Sequence, residues 1–160
     1  MRLLLSLIIS VLLATAPAAL AQNWGQYDNA RFAYGVSIPP DFEEEGEAAN
    51  GDGQVFTLES RVARLAVWGG YFVAEPDFEA EARSRLEMDL TDGWGLTAQS
   101  TTSSWAEWSA TRSGRVMHQR LVQLCDGQGY AALRLEYAQA DRRRIDPLVG
   151  PLVASLRAYC

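Results

Sequence analysis

The chain has 160 residues and a formal charge of −6, from 14 basic and 20 acidic side chains, and every basic residue is an arginine. No basic stripe is dense enough to overcome that net repulsion toward a polyanion, which argues against nucleic acid as a partner. The length suits a single domain with a real hydrophobic core.

The first 21 residues read as a signal peptide. Arg2 gives a short basic start, Leu3 to Leu13 form an apolar run broken by Ser6 and Ser10, and Ala19-Leu20-Ala21 is a small-x-small cleavage site. The run is shorter than the roughly 20 apolar residues that span a bilayer, so a cleaved leader is expected rather than a retained anchor. Gln22 follows the site, so no thiol stands there to carry a lipid. The expectation is a leader over 1–21 and one domain over 22–160, periplasmic or secreted, monomeric and without stable membrane insertion. Losing Arg2 with the leader makes the remainder still more acidic.

In Phe32 to Ile38, Phe32, Tyr34, Val36 and Ile38 share one parity, the period-two pattern of a half-buried strand, and Pro39-Pro40 ends it. Asp41 to Glu47 reads as a solvated acidic loop. Asn50-Gly51-Asp52-Gly53 has the dipeptides that favour tight turns, and a strand follows over Gln54 to Glu59. Arg64 to Phe72 is apolar on both parities, a strand covered on both faces, with Gly69-Gly70 placed for a bend or bulge. After Pro76-Asp77, Phe78, Ala82, Leu86 and Leu90 recur every four residues and predict a helix that stops at Asp92-Gly93.

Four strands follow, Leu96–Thr102, Trp105–Thr111, Arg115–Cys125 and Tyr130–Tyr137, separated by Ser103-Ser104, Ser113-Gly114 and Asp126-Gly127. Asp146 is placed to cap a last helix with Pro147 at its first position and Leu148, Leu152 and Leu156 along one side. The order predicts an α+β domain with a largely antiparallel sheet and two main helices. Cys125 and Cys160 are an even pair in an exported chain, which favours a disulfide worth about 2–4 kcal/mol over two unpaired thiols, one in a strand and one on a frayed tail.

Asn29 to Pro39, the Asn50–Gly53 turn before a Phe-containing strand, Leu65-Ala66-Val67-Trp68-Gly69, and the closing Asp146-Pro147-Leu148-Val149 through Ala154-Ser155-Leu156-Arg157 resemble the PsbP-like superfamily. That fold is shared by an extrinsic photosystem II subunit, a Ran-binding import factor and small exported bacterial proteins, and this chain is most similar to the exported bacterial members. The resemblance implies an αβα sandwich that acts as a binding or assembly module rather than an enzyme. It implies no partner, since no residue here matches the partner surfaces of the better-known members.

Candidate sites are few. His118 is the single imidazole, with Arg120 on its parity, and no G-x-S-x-G turn supplies a serine beside it, so it reads as an exposed strand histidine rather than a catalytic base. One histidine and two distant cysteines give no zinc spacing. Asn50 to Gly53 near Glu43, Glu44, Glu45 and Glu47 supplies oxygens, but no acidic residue falls twelve positions into an EF-hand loop begun at Asp52. No catalytic, cofactor-binding or metal-ligating set emerges, and no cofactor is expected. Trp94 lies between two glycines, and Trp105 and Trp108 are three apart, so a strand sends them to opposite faces. One of that pair belongs in the core; the other, with Trp94, is a candidate contact for a partner or ligand. Asp141-Arg142-Arg143-Arg144 reads as a solvated connector. Three functions follow: a non-enzymatic binding or assembly module for an unknown envelope protein, a small-ligand-binding envelope protein that uses its tryptophans, or a carboxylate- or metal-dependent hydrolase.

Overall fold

The computed structural model describes residues 23–59, 61–73 and 77–160. The leader expected over Met1–Ala21 lies outside them. The chain forms β1 (Gly25–Asn29), β2 (Tyr34–Ile38), β3 (Phe42–Glu47), β4 (Gly53–Leu58), β5 (Ala63–Tyr71), α1 (Phe78–Thr91), β6 (Gly95–Thr101), β7 (Trp105–Arg112), β8 (Arg115–Gln123), β9 (Gly129–Ala138), α2 (Arg142–Ser155) and β10 (Arg157–Ala158). Seven strands make one antiparallel sheet in the order β3-β4-β5-β9-β8-β7-β6, and β1-β2-β10 make a small second sheet. The α+β class with two main helices is the one the sequence predicts.

Two apolar cores flank the large sheet. One face, with Phe56, Leu65, Val67, Leu133, Leu135 and Tyr137, packs against the small sheet and α2 through Tyr34, Val36, Ile145 and Leu152. The other, with Trp108, Met117, Leu121 and Ala132, packs against Phe78 and Ala82 of α1. The two cores divide by strand parity, since successive side chains point to opposite faces. Val116, His118, Arg120 and Val122 therefore look toward α2, and Met117, Gln119 and Leu121 toward α1.

Several expectations are corrected. Asp41–Glu47 is not a loop, because residues Phe42–Glu47 pair with β4 as an edge strand. Gly69-Gly70 makes no bulge, and the β5–β9 register runs through it unbroken. The two glycines serve close approach instead, for a Cβ on Gly69 would collide with the Phe32 ring and one on Gly70 with Tyr130. In α1 the inward positions are Phe78, Glu81, Ala82 and Asp89, while Leu90 is exposed. A four-residue period advances about 40° per step on a helix of 100° per residue, so the stripe has rotated toward solvent by Leu90. Asp77 caps α1, accepting from the Ala80 N–H at 2.8 Å.

The last helix begins at Arg142, four residues before the predicted cap, so Arg142–Arg144 form its first turn and Pro147 and Pro151 lie inside it. Asp146 does not cap it, because that carboxylate accepts from Tyr137 and Arg142 instead. Arg144 reaches back to Glu59 with two hydrogen bonds of 2.9 Å, which ties the start of α2 to the end of β4. β1 and β10 carry no independent sequence signal; each exists by pairing with β2.

Candidate binding surface

The three candidate tryptophans part company. Trp94 and Trp108 are each 3% exposed, which corrects the placement of Trp94 as an open contact. Trp108 faces α1 and its indole Nε1–H donates to the Asp89 carboxylate at 2.8 Å. Arg134 of β9 donates to the other Asp89 oxygen at 2.6 Å and to Glu136 at 2.7 Å. Trp94 lies under two guanidinium groups, Arg112 at 4.6 Å and Arg134 at 5.4 Å from its ring centre. Asp89, Trp108 and Arg134 come from three separate elements, and no local spacing announces them.

Trp105 faces the other way. It is half-buried, with the Arg120 guanidinium 4.7 Å from its ring centre, and Arg120 pairs with Glu107 at 2.8 Å. The register explains the trio, because Glu107 stands opposite Arg120 and Trp105 opposite Val122 on the α2 side of the sheet. Hairpin parity alone would have found it. Beside the trio, α2 stops short of β6 and β7 and leaves a groove of about 300 Å³ lined by Ala98, Ser100, Glu107, Ser109, His118 and Val149.

His118 is half-buried here, not on a wet face. It meets the Tyr137 hydroxyl at 3.1 Å, and that hydroxyl donates to Asp146 at 2.5 Å. With the phenolic proton committed to Asp146, the imidazole donates from Nε2 and keeps Nδ1 as its acceptor. Burial holds the imidazole below its usual pKa against the opposing pull of Asp146 and Glu107. Burial, and then the bond to Asp146, push the Tyr137 phenol well above its ordinary range. Ser109 sits opposite His118 in the register, yet its hydroxyl shares a hydrogen bond with Thr97 at 2.8 Å. The described residues thus give His118 a phenol, not a nucleophile, as its neighbour.

The acidic turn is self-satisfied. Asp52 pairs with Arg31 at 2.8 Å, Asn29 donates to the Gly51 carbonyl at 2.9 Å, and Gly51 takes the positive φ that the turn requires. Cys125, just beyond β8, is joined to Cys160, just beyond β10, with Cα atoms 5.5 Å apart. That link fastens the small sheet to the large one. No helix among the described residues is long and apolar enough to cross a membrane.

Solved structures superpose on this fold over most of the chain. The solution structure of cyanobacterial PsbP from Synechocystis sp. PCC 6803 superposes with a TM-score of 0.64 at 12% identity, covering 92% of this chain and 99% of that one. This chain has the PsbP-like fold. The Ran-binding protein Mog1p of Saccharomyces cerevisiae shares it, with a TM-score of 0.63 at 12% identity over 85% of this chain and 95% of that one. LpqN of Mycobacterium tuberculosis, described as involved in cell envelope biogenesis, gives 0.50 at 11% identity over 86% of each chain. No family model matches the sequence, and no curated protein matches it. The segments that carried the resemblance to PsbP-like proteins fall on β1–β2, the β3–β4 turn, β5 and α2, all parts of the scaffold. The open end of the sheet at Trp105 and His118 is built from other residues.

Proposed function

We propose that this protein is an exported, envelope-associated module that binds or assembles with another protein and has no catalytic role of its own. The observation that carries this reading is the PsbP-like fold, whose solved examples include a Ran-binding protein and a protein involved in cell envelope biogenesis. Fold alone does not transmit function. Three features of this chain lend it local support. The leader-like start gives the address, and the Cys125–Cys160 pair suits an oxidising compartment. His118, the best-placed base, bonds the Tyr137 hydroxyl, and no serine, threonine or cysteine among the described residues hydrogen-bonds to it.

Crosslinking the protein in its native envelope, followed by mass spectrometry, tests the reading. One stoichiometric protein partner is the expected result. Hydrolytic turnover abolished by a chelator, together with a tightly bound metal, would overturn it in favour of a hydrolase. Ligand-dependent tryptophan fluorescence without any protein partner would overturn it in favour of a small-molecule carrier.

A further inference from the structure

The two edges of the large sheet are unlike each other. The β3 edge carries Glu43, Glu44, Glu45 and Glu47 and is irregular between Glu44 and Gly46, both of which deter pairing by another chain. β6, at the opposite edge, reads Gly-Leu-Thr-Ala-Gln-Ser-Thr, is exposed along its whole length, and has neither charge nor proline. Its register shift lies between Leu96 and Ala98, so the ladder is regular from Ala98 to Thr101.

The β6 main chain has a definite outward register. Thr102 N–H donates to the Trp105 carbonyl at 2.8 Å and closes the hairpin. Counting back along the ladder, Ser100 and Ala98 turn their peptide groups inward to Glu107 and Ser109 of β7. Gln99 and Thr101 therefore turn theirs outward, to the open side. A groove flanks β6 on each face of the sheet. One, of about 240 Å³, runs under α1 and is lined by Glu79, Arg83, Leu86, Gln99 and Thr101. The other is the groove at Ser100, Glu107 and His118.

We infer that β6 is a docking edge that takes an extended segment of a partner protein as an eighth strand, paired through the Gln99 and Thr101 main chain. This rests on the binding-module reading and names its surface. An added strand sends alternate side chains to the two faces, where each groove stays open beside Ala98 and Ser100 on one face and Gln99 and Thr101 on the other. The occupant thus has long side chains. Glu79 is matched by Arg83 and Glu107 by Arg120, so the choice between basic and acidic side chains falls to the net charge of −6, which favours basic ones. A second copy of this chain fits less well. Its β6 carries no basic side chain, and two chains of net charge −6 repel each other.

The probe is a fluorescein-labelled nine-residue peptide of alternating arginine and valine, titrated against the full chain. Saturable binding is expected, with slowed amide exchange at Gln99 and Thr101. N-methylating one alternate set of peptide amides should weaken binding about tenfold, and methylating the other set should leave it unchanged, because only one edge of the peptide faces β6. Gln99→Pro removes an outward donor while sparing the β7 ladder, and should weaken binding to a similar degree. The methylated peptides leave the protein untouched, so they decide the matter even if that variant folds poorly. Equal effects of the two methylated sets, protection away from β6, no binding at millimolar peptide, or a β6-protected dimer without peptide would each overturn the inference. A stoichiometric envelope partner crosslinked elsewhere would overturn it too, while leaving the binding-module reading intact.

Discussion

Trp105 and Trp108 lie three residues apart on one strand and have opposite fates. Trp108 is sealed beneath α1, its N–H spent on a carboxylate that also holds an arginine; Trp105 sits half-open on the other face, roofed by the Arg120 guanidinium. The faces differ in cover, not in composition, since each presents an aromatic ring, an acid and an arginine. Under α1 these groups satisfy one another and complete a core. On the α2 side the same kinds of group also pair with one another, but they stay partly open, and Glu107 borders a groove. Two helices of equal length thus cover the two faces of one sheet unequally.

The largest test of that contrast is Trp108→Ala. It empties a buried aromatic site and leaves Asp89 short of one donor, at a cost of about 3–5 kcal/mol. Urea denaturation should register the loss as a lower midpoint. Reduction of the Cys125–Cys160 disulfide comes next, because the bond closes a loop between residues 35 apart and holds β10 against the scaffold. Cys125→Ser with Cys160→Ser should cost about 2–4 kcal/mol by the same measurement. An unchanged midpoint in the double variant would mean that the small sheet is held in place by its other contacts without the bond.

The scaffold was largely legible because it is written in periodicity. Tyr34, Val36 and Ile38 share a parity and are buried together, and Asp126-Gly127 and Ser113-Gly114 mark real turns. The acidic edge strand is not legible as a strand because charge describes solvation, and an edge strand is as solvated as a loop. The start of α2 is hidden because prolines favour a helix's first turn, whereas Pro147 and Pro151 stand further in. The surface was less readable still. Which of Trp94, Trp105 and Trp108 is open depends on where α1 and α2 end in space. The Tyr137–Asp146 contact that holds His118 joins a strand to a helix with no sequence signal. Only the Glu107–Arg120 pairing followed a rule of parity, once the hairpin register was known.

A milder perturbation uses pH. The folded state disfavours protonated His118, whereas the unfolded chain takes up the proton near the usual 6.5, so the unfolded state binds more protons as pH falls through that value. The contribution of this group is therefore fully present above about pH 6.5 and is lost as pH drops toward its lower folded pKa. Asp146, Glu107 and Arg142 surround it and set the size of the slope. His118→Gln should flatten the fall in stability between about pH 7.5 and 5.5, measured by thermal unfolding at each pH. An unchanged slope would assign the fall to carboxylates instead.

Trp105→Ala is the smallest stability effect and the most direct probe of the open face. Its ring is half-buried and its one strong contact is the Arg120 guanidinium, so its loss should cost about 1 kcal/mol, roughly the scale of a single exposed cation–π contact. Arg120 stays paired with Glu107 in this variant, so the sheet keeps its register. The expected outcome is a near-native unfolding midpoint beside the large drop of Trp108→Ala. Two tryptophans on one strand would then report the two faces separately. If instead Trp105→Ala destabilised as much as Trp108→Ala, the α2-side groove would be a part of the core, and the surface left for a partner would shrink to the β6 edge.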